Sequence, residues 1–127
     1  MDVLIRFGFT IEEINNMMET NQSIDEISDN NINEFINILK KINCTEKEIK
    51  NIISCNPFYL SKNIEDVKQL IKRLQEIGCT YLNLLLDTNP YLLNMEKIEL
   101  DKLYNKKIHE GLSKEEIINY MNNNIVF

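Results

Sequence analysis

Of the fourteen basic side chains in the sequence, six stand in adjacent pairs: Lys40-Lys41, Lys72-Arg73 and Lys106-Lys107. Paired cations on successive elements are suited to a phosphate backbone, where each contact releases counterions and affinity grows with the number of contacts. The same residue types are also favoured at helix C-terminal ends, where they face the negative end of the helix dipole. The pairs lie at different distances from the glycine or asparagine that follows each of them, so they do not form one strict column. Both readings stay open on the residues alone.

Other chemistries find less to work with. The three cysteines make no CxxC pair and none lies near His109, the one histidine, at metal-ligand spacing, so neither a zinc site nor any other metal is expected. Cys44 and Cys79 share a position that other copies of the pattern below fill with Phe9 and Leu112, which predicts small buried hydrophobes without a bridge. Cys55 has no visible activating neighbour. His109 next to Glu110 lacks a nucleophile and a pocket, and it reads as a solvated helix-end residue. Glu12 and Glu13, adjacent on a helix, point away from each other and cannot act as an acid/base pair. No phosphate-cradling glycine loop and no nucleophile motif is present. An enzyme is not expected, nor a cofactor, nor a small-molecule substrate.

The elements that must position these residues come from one unit written twice, LKKINCTEKEIKNIISCNPFYL from Leu39 and LQEIGCTYLNLLLDTNPYLL from Leu74. Leu39 and Leu74, Cys44 and Cys79, and Thr45 and Thr80 each lie 35 residues apart, whereas Asn56-Pro57 and Asn89-Pro90 lie 33 apart. The later copy has therefore lost two residues from its first helix. Gly8, Asn43, Gly78 and Gly111 form one column, of the residue types that close a helix in the left-handed conformation. Thr10, Thr45, Thr80 and Ser113 follow as helix starts, and Glu13, Glu48 and Glu116 complete a capping box in three of the four copies.

Each first helix then shows apolar residues at helical spacing: Ile14, Met17 and Met18; Ile49, Ile52 and Ile53; Leu85 and Leu86; Ile117, Tyr120 and Met121. The first helices are expected to stop at Asn21, Asn56, Asn89 and Asn124, with proline directly after Asn56 and Asn89, and the aromatic and leucine residues that follow are expected to plug the gap between helices. In the first copy, Ser23 with Glu26 suggests a more helical connector. Second helices repeat a seam as Ile32, Phe35, Ile36 and Leu39, then Val67, Leu70, Ile71 and Leu74, then Leu100, Leu103 and Tyr104, with Lys107 narrowing the last stripe. A fixed period of this size marks a supersecondary unit stacked on copies of itself. The expected fold is an all-α solenoid of three and a half helix-turn-helix units, about 4–38, 39–73, 74–108 and a half unit 109–127, in a single domain 1–127.

The half unit raises a question of cover. Ile117, Tyr120 and Met121 have no second helix of their own, and the chain ends in Ile125, Val126 and Phe127. Either this tail folds over the seam, or the seam is an interaction face for a dimer or a partner.

The chain length of 127 residues suits one domain, and no apolar run approaches the ~20 residues that cross a bilayer, so no membrane association is expected. The N-terminal MDVLIRFGFT carries neither signal-peptide nor transit-peptide character, which makes a cytoplasmic location the expectation. The net charge of −6 is unevenly placed, with eight acids against Arg6 alone in residues 1–39. An acidic total opposes tight unspecific binding to nucleic acid.

The pattern of L-x-x-x-G, a hydrophobe, Ser or Thr, then E-I, an apolar pair, Asn-Pro, a leucine-rich turn and a second helix resembles the repeats of the mitochondrial transcription termination factor (mTERF) family. Residues 39–111 carry the resemblance best. It implies a left-handed superhelix of helix–helix–3₁₀ units and binding to double-stranded DNA or RNA. Tetratricopeptide and pentatricopeptide repeats have a similar period, but they rely on small residues where helices cross, and this chain has no alanine. Two classes of macromolecular partner stand side by side: nucleic acid, from the resemblance and the basic pairs, and protein, from the acidic first unit and the short chain.

Overall fold

The computed structural model of the chain describes the backbone of residues 2–124 and the side chains of residues 2–122. Every regular element among the described residues is helical. A short helix α1 (Asp2–Phe7) precedes three units, each made of a first helix, a five-residue 3₁₀ turn and a second helix. The first unit is α2 (Ile11–Thr20), η1 (Gln22–Glu26) and α3 (Asp29–Lys41). The second is α4 (Glu46–Cys55), η2 (Pro57–Ser61) and α5 (Ile64–Glu76), and the third is α6 (Leu82–Thr88), η3 (Pro90–Asn94) and α7 (Lys97–His109). Helix α8 (Lys114–Asn124) follows as a first helix.

The punctuation falls where the columns put it. Gly8, Asn43, Gly78 and Gly111 have φ of 120°, 70°, 103° and 92°, the left-handed turn that lets the next residue's N–H reach back to a carbonyl five residues earlier. Those bonds run from Phe9 to Leu4, Cys44 to Leu39, Cys79 to Leu74 and Leu112 to Lys107, at 3.0–3.1 Å. Thr10 with Glu13, Thr45 with Glu48 and Ser113 with Glu116 form reciprocal capping boxes. The third copy forms none. Its position three residues after Thr80 is Asn83, so Thr80 and Tyr81 stay in a turn and α6 keeps seven residues where α4 has ten.

Like packs against like along the chain. Helix α1 packs on α3, and the second helices are neighbours in sequence order, α3 with α5 and α5 with α7; α4 packs on α6, and the 3₁₀ turns contact one another in succession. One cluster of buried side chains runs from Val3 to Met121, including the whole triplet Ile49, Ile52 and Ile53. Burying each side chain of that size contributes about 1.5–3 kcal/mol before entropy is counted. Tyr59 of η2 is the largest plug, fully buried edge-on to Phe35 with its hydroxyl donating to Phe35 O at 2.6 Å.

Several expectations are corrected. Ser23 and Glu26 make no capping box: the Asn21 carboxamide oxygen accepts from Ser23 N, and η1 is a five-residue 3₁₀ turn like the other two. Of the aromatics in the Asn-Pro turns only Tyr59 plugs the interior; Phe58 and Tyr91 occupy the same register one unit apart and stand about half exposed. Ile117 and Met121 are fully buried, and Tyr120 lies half-buried beneath Lys107. Ile125, Val126 and Phe127, and with them the choice between a covering tail and a dimer contact, lie outside the described residues. No described helix is long and apolar enough to cross a membrane.

Candidate functional site

The six paired cations do not share one fate. Arg73 on α5 bonds the Asp101 carboxylate of α7 at 2.5 Å and lies over the Tyr104 ring. Lys107 pairs with Glu110 at 3.3 Å and sits 4.2 Å from the centre of the Tyr120 ring. Both are only partly exposed, and their charge is directed into contacts between elements of this chain. Lys40, Lys41, Lys72 and Lys106 remain on the surface, with Lys40 lying 5.8 Å from the Phe7 ring centre.

Packing of α3 against α5 brings Lys40 and Lys41 together with Lys68. The three lysines line an open cleft of about 420 Å³, with Asn37, Ile38 and Glu34 completing its wall. Lys68 also pairs with Glu65 one turn away at 3.6 Å, a solvent-exposed contact of the kind worth at most about 1 kcal/mol and easily exchanged. Lys68 was not legible as a site residue, because it is not part of a pair. Its signal was the four-residue spacing to Lys72, which places both on one face of α5. Lys106 lies on α7, apart from this cleft.

Nothing in the cleft supports proton transfer or nucleophilic chemistry, since its titratable groups are three amines and one carboxylate. What three amines beside one carboxylate can do is attract an anion electrostatically. Among the described residues no group of His, Cys, Asp and Glu side chains could hold a metal ion. Cys44 and Cys79 are buried and unbridged, and burial pushes their thiols up to about 12 and about 11, which suppresses the thiolate; Cys55 is exposed and free.

Successive units are joined by a ladder of buried asparagines, invisible in the sequence beyond their role as helix stops. Asn21 Nδ2 donates to Pro57 O and to Ser61 Oγ, Asn56 Nδ2 to Pro90 O and Asn94 Oδ1, and Asn89 Nδ2 to Met121 O. Each bond joins the end of one first helix to the next unit. Two lysines add to the ladder, Lys50 donating to Gly8 O and Lys62 to Asn94 O.

Neither the curated proteins nor the solved structures contain a match to this chain. The family model described as mTERF matches residues 1–123, nearly the whole chain, and spans the three full units, their capping columns and α8. The chain therefore belongs to the mTERF family.

Proposed function

We propose that this chain is a non-catalytic helical-repeat module that binds nucleic acid through phosphate contacts in the α3–α5 cleft. The observation that carries the reading is the convergence of Lys40, Lys41 and Lys68, from two successive units, on one open concavity. Family membership supports the class of ligand, and the absence of acid/base or nucleophilic geometry in the cleft supports binding without chemistry. The units are inferred to continue as a left-handed solenoid, as the family resemblance implies.

The charge balance sets the strength. Three or four phosphate contacts, opposed by a net charge of −6, give an unspecific dissociation constant no tighter than ~10⁻⁴–10⁻⁶ M near physiological salt. Fluorescence anisotropy with labelled duplex DNA and with RNA tests the site. The variant Lys40→Glu/Lys41→Glu weakens binding at least ~10-fold, whereas Lys47→Glu/Lys114→Glu, with the same change in net charge on exposed residues of α4 and α8, weakens it far less. Equal losses from the two variants would assign the binding to net charge and remove the cleft from the account.

A further inference from the structure

The lysine cleft of α3 and α5 has an uncharged neighbour. Lys41 also lines a second open cleft, of about 320 Å³, beside the closing turns of the same two helices, and there it is joined by Asn43 and Gln75 instead of further cations. Buried Ile42, Cys79 and Leu82 form the floor. Both carboxamide residues are exposed, and among the described residues neither side chain has a hydrogen-bond partner. Asn43, two residues past Lys41, is the one member of its column that carries a side chain. Gly8, Gly78 and Gly111 close the other helices, and at a φ of 70° asparagine is among the few residues that can stand in for them.

A group that lies next to a bound phosphate and meets two carboxamides over an apolar floor is, in a nucleic acid, the edge of a base. A carboxamide offers one acceptor and two donors, which match the N6 donor and N7 acceptor that adenine shows in the major groove of DNA. Guanine shows two acceptors there and is suited to arginine or lysine, and cytosine shows a donor suited to a carboxylate. The cleft has no arginine and no carboxylate, and its one lysine is shared with the phosphate cleft. The floor of Ile42, Cys79 and Leu82 suits the methyl group of thymine.

We propose that the second cleft reads an A·T pair of duplex DNA beside the phosphate held at Lys41, with Asn43 and Gln75 contacting the adenine edge. The inference rests on the phosphate-binding reading of the α3–α5 cleft and adds a base preference to it. Duplex RNA shows no such preference, because its major groove is too deep and narrow for side chains to read.

Fluorescence anisotropy of the full chain at about 50 mM salt tests it with two labelled DNA duplexes of equal length, one all A·T and one all G·C. The A·T duplex binds about tenfold more tightly, in the range that one bidentate base contact discriminates. Asn43→Gly/Gln75→Ala removes both carboxamides while keeping glycine at a left-handed turn and a strong helix former in α5, so its circular dichroism is that of the wild type. This variant brings the A·T duplex to the G·C value. A deaza-adenine that lacks N7 but still pairs with thymine does the same with the wild-type chain. An A·T preference that survives either change comes from groove width and the lysines, and overturns the proposal. So does equal binding of the two duplexes by the wild type, or the same preference in duplex RNA. In those cases Lys40→Glu/Lys41→Glu still weakens both duplexes, and the phosphate reading stands. If that lysine variant binds both duplexes as the wild type does, the phosphate reading fails and the base reading falls with it.

Discussion

Replacing Asn56 by alanine removes one rung of the asparagine ladder at a position 1% exposed. Two bonds are lost, to Pro90 O at 3.1 Å and to Asn94 Oδ1 at 3.0 Å. Pro90 is buried, so its carbonyl gains no water and the loss there is about 1–3 kcal/mol; Asn94 is half-buried and recovers part of its loss from solvent. One offset is present, because Asn56 Oδ1 is itself buried without a partner and leaves with the side chain. The net is about 2 kcal/mol, a large share of the ~5–15 kcal/mol that stabilises a domain, and lowers the melting temperature by about 8 °C at this chain length. Urea unfolding followed by circular dichroism measures it, with Asn105→Ala on the exposed face of α7 as the control expected within about 0.5 kcal/mol. Asn56→Asp is worse at neutral pH, because it sets a buried carboxylate against Pro90 O, and it recovers in part as acid protonates it. If Asn56→Ala matches the Asn105→Ala control, the ladder does not hold the units together and the reasoning fails.

Thiol titration of the native chain should find one fast cysteine, Cys55, with Cys44 and Cys79 reacting only on unfolding; three fast thiols would contradict the packing. Tyr59→Phe removes the hydroxyl donor that Phe35 O has in addition to its helical partner and should cost about 1 kcal/mol by urea midpoint, with unchanged helix content. Backbone bonds from Thr10 and Ser113 hold the Glu13 and Glu116 carboxyls below the ordinary 4.5. With folded values depressed, their stabilising effect is complete above the unfolded value and is lost as pH falls through the folded one, so Glu13→Gln/Glu116→Gln should flatten the acid limb of stability below about pH 5. A limb as steep as that of the wild type would remove these caps from the acid response.

Much of the fold was legible because its signals are local. Left-handed closure at Asn43 and the glycines, the Thr–Glu boxes and the three-and-four spacing of Ile49, Ile52 and Ile53 each need only one helix to be read. The two-residue loss before Asn89 was legible too, and it explains why α6 is short and uncapped. The unread features depend on contacts between units. Which of Phe58 and Tyr59 turns inward is decided by Phe35, 24 residues before Tyr59. Asn21, Asn56 and Asn89 read as helix stops because their partners lie more than thirty residues away. Of the six paired cations, Lys40, Lys41, Lys72 and Lys106 are exposed, whereas Arg73 and Lys107 are engaged by Asp101 and Glu110, contacts between side chains that the pairing alone does not show, and Lys68 enters through the packing of α3 on α5.

The salt dependence of nucleic-acid binding tests the central claim most directly, since it counts the phosphates engaged. Anisotropy titrations of duplex DNA between about 20 and 200 mM salt should give a plot of log K against log salt with a slope near −3, about −0.9 for each of three or four phosphates. Lys41→Glu should reduce that slope by about one. A slope near zero with binding intact, or no binding to DNA or RNA at the lowest salt, would contradict a phosphate-contacting cleft at Lys40, Lys41 and Lys68.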